Sequence, residues 1–158
     1  MTRKANLGFG LAVAAVAAGA DQLAKLSVLA RLGDAPNVPH TLLPFLDFRL
    51  IWNRGISYGF MGDAGAGAQI ALSVAAAVVT LFLIVLMTRQ THRRSVVAYA
   101  LIIGGAVGNL IDRALYGAVV DFVSLHAGGY YWYIFNLADV WITFGVIALL
   151  WPRRKGGS

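Results

Sequence analysis

Four apolar stretches dominate the chain, and polar segments punctuate them. The first, residues 5–30, carries no charge before Asp21, and its helix-compatible pattern continues through Leu23 to Ala30. The second, residues 68–88 within an uncharged run that starts at Ala64, is long enough for a second span. A third runs from 95 to 116, its apolar part ending at Ile111, and a fourth from 134 to 152. Between the first two lies a long loop, 31–67, in which Pro36, Pro39 and Pro44 break any helix. Inside it Leu46, Phe48, Leu50 and Trp52 alternate with polar Asp47, Arg49 and Asn53, the period-two pattern of a half-buried strand. Residues 117–133 read as a second loop, and Tyr130 to Tyr133 as an aromatic belt where the fourth span enters a bilayer.

Composition agrees. At 59% hydrophobic and 13% charged, with mean hydropathy +0.71, the chain is too apolar for a soluble protein of 158 residues. The reading is one membrane domain, an all-α bundle of four transmembrane helices. There is no cysteine, hence no disulfide, thiol nucleophile or thiolate metal site. A net charge of +6 would suggest nucleic acid in a soluble protein, but its distribution says otherwise. Eight bases fall in three clusters without an acid: Arg3-Lys4, Arg89 with Arg93-Arg94, and Arg153-Arg154-Lys155. These alternate with the apolar stretches as the positive-inside rule requires, placing both termini in the cytoplasm and both long loops outside. No nucleic-acid partner is expected, and no cofactor or metal.

The candidate chemistry lies between Gly104 and Asp139. Carboxylates in or near hydrocarbon cost roughly 2.5–3.5 kcal/mol at a helix centre, so Asp112, Asp121 and Asp139 call for a function. Asp121 and Asp139 have no basic neighbour in sequence; Asp112 adjoins Arg113 and suits a structural ion pair better. The third and fourth helices meet on the outer side, with Asp139 about 7 Å into the fourth at 1.5 Å per residue. Asp121 leaves the third, so the two acids can share a site and a single proton, one activating water while the other polarises a carbonyl. Asn109, Asp112 and Arg113 share one helical face, and Asn136 and Asp139 another. Asn109 and Asn136 can donate to the acids or to substrate backbone, or serve only as interhelical polar glue. Asp21 and Lys25 stand at i, i+4 in the favoured order, a brace for the site or a snorkelling surface pair. Gly104 and Gly108 match the spacing that lets a neighbouring helix approach closely.

Three other readings compete. The N-terminus resembles a secretory signal peptide with Ala18-Gly19-Ala20 as a cleavage site, but the helical pattern past it favours a retained span. Gly55-Ile-Ser57-Tyr-Gly59 matches a serine-nucleophile elbow, with His40 or His126 as the base and His92 on the wrong side. That elbow needs a large sheet this chain is too short and apolar to build. A small transporter could use the acids as a proton relay, but no internal repeat is visible.

In order along the chain, DQLAK (Asp21, Lys25), NRGISYGF (Asn53, Gly55), GGAVGNLIDR (Asn109, Asp112, Arg113), VDF (Asp121) and FNLAD (Asn136, Asp139) resemble the signature blocks of the bacterial lipoprotein signal peptidases, signal peptidase II. The resemblance implies a four-helix aspartyl endopeptidase of the inner membrane, active near the periplasmic face. It implies lipid-modified prolipoproteins as substrates, cleaved before the lipidated cysteine, with membrane lipids around a monomer. It also implies Asp121 and Asp139 as the catalytic pair. Asp21, Lys25, Asn53, Gly55, Asn109, Asp112, Arg113 and Asn136 then line or brace the site, and the segment 41–60 forms a small extramembrane sheet that cradles substrate. Ser57-Tyr58 stands where many members have Ala-Phe, which argues against Ser57 as a nucleophile.

Overall fold

The computed structural model describes residues 3–55 and 66–152. Helices α1 (Arg3–Leu32), α2 (Ala66–Thr88) and α3 (Arg93–Tyr116) are each long and apolar enough to cross a membrane. Helix α4 (Leu137–Leu150) is apolar but has only 14 residues. Strands β1 (His40–Leu43), β2 (Leu46–Asn53), β3 (Val119–Ala127) and β4 (Tyr130–Phe135) form one antiparallel sheet in that order. The fold is therefore mostly helical with a small sheet. Ser57 and the rest of the serine-elbow pattern beyond Gly55 lie outside the described residues.

Helix α3 occupies the centre, packed against α1, α2 and α4. Small residues make this possible. A Cβ on Gly104 would sit 2.6 Å from the Ala14 carbonyl oxygen of α1, and one on Gly108 would strike the Asp21 carboxylate. On the opposite side Gly105 lies directly against the Ala138 backbone of α4. The glycine spacing thus lets the backbones approach, as the sequence suggests, and Ala14, Met87, Val96, Ala100 and Ile103 pack the core below. Large apolar side chains of α2, among them Ile70, Val78, Leu81 and Phe82, are exposed on the outside of the bundle. Such a surface suits lipid.

The sheet claims more of the chain than its polarity pattern reveals. Residues 117–133 are not a loop but carry β3 and most of β4, and Tyr130 to Tyr133 form a strand instead of a helix entry. The fourth helix consequently starts at Leu137, not at 134. The physical reason lies in the turn. Ala127 pairs with Tyr130 across Gly128 and Gly129, whose φ values of 56° and 84° suit the two-residue hairpin turns that match strand twist. The alternation in β2 also breaks, because its register with β3 shifts between Phe48 and Ile51. Asp47 is consequently buried and Trp52 exposed, the reverse of an apolar-inside strand.

Candidate active site

Strands β2 and β3, the β4–α4 junction and the facing ends of α1 and α3 bring their polar residues to one place. Asp121 on β3 is 2% exposed. Its Oδ1 accepts from Asn136 Nδ2 at 2.7 Å, and its Oδ2 from Asn53 Nδ2 at 2.9 Å. Asn53 ends β2 and faces Val119 of β3 in the ladder, which aims its amide at Asp121. Its Oδ1 accepts from the Gly55 N–H at 2.8 Å, closing a turn in which Gly55 takes φ 92°. Glycine alone adopts that conformation without strain.

Asn136 joins the two acids. It is the N-cap of α4: its Oδ1 accepts the Asp139 N–H at 3.1 Å, and Asp139 Oδ2 accepts the Asn136 N–H at 3.3 Å. This reciprocal capping box explains why an Asn and an Asp three residues apart open the helix. Asp139 is therefore the third residue of α4, in its first turn, rather than five residues into a helix. Its Oδ1 accepts from Asn109 Nδ2 at 3.1 Å. Asn109 Oδ1 in turn accepts from Asn136 Nδ2 at 3.0 Å and from Lys25 Nζ at 2.9 Å.

Behind the pair lies a charged brace. Lys25 Nζ is 2.7 Å from both Asp21 Oδ2 and Asp112 Oδ2, and all three side chains are essentially without solvent exposure. The Asp21–Lys25 pair is thus buried and not a snorkelling surface pair. Asp112 takes Lys25 as its partner, not the adjacent Arg113. Asp112 also accepts from the Val120 N–H at 3.0 Å, which fixes β3 one residue before Asp121. Asp21 Oδ1 accepts the Ala138 N–H at 2.8 Å, so α1 caps the first turn of α4 from outside. Among the described residues, Arg113 Nη1 donates to the Asn109 carbonyl of its own helix, 3.4 Å away.

Gln22 escaped sequence reasoning. Its Nε2 donates to Asp112 Oδ1 at 2.9 Å and to the Gly108 carbonyl at 3.1 Å. The only signal was its place between Asp21 and Lys25. The backbone donors of Val120 and Ala138 gave none, since a peptide N–H carries no sequence label.

Burial pushes the Asp121 carboxyl up to about 6, against the pull of the Asn53 and Asn136 amides and with the charge of Asp139 adding to the rise. A carboxyl raised in the fold above its ordinary 3.8 stabilises the fold while protonated. That contribution is complete below about pH 4 and is lost as pH rises through about 6. D121N is expected to flatten this dependence. Thermal unfolding in detergent at pH 5 and pH 7.5 should show the variant gaining on the parent at the higher pH, on the order of 1 kcal/mol. Equal pH dependence in both proteins would contradict the assignment.

Apolar helices enclosing a buried acid–amide cluster define an integral membrane protein with the makings of a hydrolytic site. Among the described residues, no group of three or more His, Asp or Glu side chains could hold a metal ion. The family model described as Signal peptidase (SPase) II matches residues 13–153. A lipoprotein signal peptidase of Methylobacterium radiotolerans is 49% identical over 133 residues, 82% of this chain and 76% of that protein. One from Rhodopseudomonas palustris is 46% identical over 151 residues, covering 93% and 92%. A bacterial membrane enzyme solved by the in meso method at 1.9 Å superposes with TM-score 0.71 at 26% identity, covering 90% of each chain. The chain belongs to the signal peptidase II family, and it is a peptidase.

Proposed function

We propose that this protein is an aspartyl endopeptidase that removes signal peptides from diacylglyceryl-modified prolipoproteins, cutting before the lipidated cysteine. The single observation that carries the mechanism is the Asn136 amide, which touches Asp121 directly while its N-cap geometry holds Asp139. Asp139 takes the part of the carboxylate: the Asn109 amide and the Asn136 N–H donate to it, at the positive end of α4. Asp121, almost without solvent, holds the proton. Asp139 removes a proton from water, whose oxygen attacks the scissile carbonyl carbon while Asp121 donates its proton to the carbonyl oxygen. The tetrahedral diol then collapses. The C–N bond breaks, Asp139 passes its proton to the leaving nitrogen, and Asp121 regains its own from the diol hydroxyl.

The membrane setting follows from charge. Arg93 and Arg94 begin α3, whereas Asp112 and Asn109 lie toward its other end. With the basic clusters in the cytoplasm, the site and the sheet belong at the periplasmic face of the inner membrane, with four spans and both termini inside. The short α4 ends at the Trp151 cap, and in sequence a basic cluster follows it. Lipid-modified precursors are the partners, and the enzyme works as a monomer. Arg113, Gly55, Asn53, Asn109, Asn136, Asp112, Lys25 and Asp21 hold or line this site.

Purified protein in detergent is expected to cleave a diacylglyceryl-modified precursor and to leave the same precursor intact when its cysteine is unmodified. Equal cleavage of both, or of neither, would remove the substrate assignment.

A further inference from the structure

A second polar cluster sits on the sheet, away from the site. Asp47 on β2 is 1% exposed. Its Oδ2 accepts from the Tyr131 hydroxyl of β4 at 3.0 Å, and its Oδ1 lies 3.2 Å from His126 Nε2 of β3. The Arg49 guanidinium covers the Tyr131 ring at 4.0 Å, and the His126 ring lies 5.1 Å from it. One carboxylate on β2 thus bonds the Tyr131 hydroxyl of β4 and lies against the His126 ring of β3 between them.

These strands carry Asn53 and Asp121, and β4 leads directly into Asn136. Their pairing contains an irregularity beside the cluster. His126 pairs with Tyr131, but Leu125 pairs with Tyr133, so β4 holds one more residue than β3 at Trp132. Beyond the shift, Val123 faces Phe135, and this offset register delivers Asn136 Nδ2 to within 2.7 Å of Asp121. Without the shift, Val123 would face Ile134 instead. A one-residue slip turns every side chain to the opposite face of a sheet. The sequence Tyr130-Tyr-Trp-Tyr-Ile-Phe135 cannot choose between the two registers, because it is apolar or aromatic on both faces.

We infer that Asp47, through Tyr131 and His126, is a positioning residue that locks the offset register of β4 and so aims Asn136 at Asp121. The lock pins the turn side of the shift, and the Asn136–Asp121 bond pins the other. This inference rests on the peptidase reading only for its effect on turnover; the register itself can be read without any substrate.

The chain has no cysteine, so engineered pairs report register cleanly. V123C/F135C is expected to cross-link on mild oxidation in the parent, and V123C/I134C poorly, because those two side chains leave opposite faces. Adding D47A should shift cross-linking toward V123C/I134C. In the cysteine-free background, D47A should lower kcat by about tenfold to 10²-fold with KM within about twofold. D47N keeps an oxygen acceptor for Tyr131 and should restore both readouts. Y131F deletes only the hydroxyl and carries the test should D47A fail to fold; it should move both readouts in the same direction. An unchanged cross-linking pattern in D47A or Y131F, with or without lost turnover, overturns the inference, as does a shifted pattern with normal kcat. Failure of the peptidase reading shows separately, as absent cleavage by the parent, and leaves the cross-linking result intact.

Discussion

D121N and D139N are each expected to lower turnover of a diacylglyceryl-modified precursor by at least about 10²–10⁴-fold, the range attributed to a positioned acid or base. Both substitutions should leave the fold standing. Asn at 139 still offers an oxygen to the Asn136 N–H, so the cap survives, although its amide cannot accept from Asn109 as the carboxylate does. Asn at 121 still accepts from Asn136, and it no longer needs to keep a charge out of water. The two losses should be far from additive, because one water and one proton pass through both groups. Side-by-side cleavage assays in detergent, with unfolding curves as the control, decide it. Undiminished turnover in either folded variant would refute the acid pair.

The second large effect concerns Lys25. Its ammonium spends all three donors on Asp21, Asp112 and Asn109, and both carboxylates are fully buried. K25M fills a similar volume but strands two buried carboxylates beside each other. Removing one partner of a buried ion pair typically costs about 3–5 kcal/mol, and here two acids lose the same cation. K25M is expected to unfold at markedly lower temperature and to accumulate poorly. The triple variant D21N/K25M/D112N should recover part of the loss, since no unpaired charge then remains. A K25M protein as stable as the parent would mean that the brace contributes little.

The helices were readable because apolar length speaks plainly, and the Asp21–Lys25 and Gly104–Gly108 spacings because helical geometry fixes which side chains meet. The acids and amides of the site were readable as residue types whose burial demands partners. Their pairings were less so. Lys25 reaching Asp112, or Asp21 reaching the Ala138 N–H, depends on how helices dock, which no local pattern encodes. Strand β4 was invisible because an aromatic run has neither the period of a strand nor that of a helix, and it borders an apolar helix. The burial of Asp47 was hidden by the register shift in β2, which a period-two reading cannot anticipate.

The bond from Asp21 to the Ala138 amide joins α1 to the first turn of α4 across 117 positions of sequence. Among the described helices α4 is made last, and the amide of its second residue is satisfied by a carboxylate on α1. Its insertion is therefore not an isolated event. Until α1 and α4 meet, that amide lacks this partner, so the helices assemble by closing a ring rather than by growing as a row.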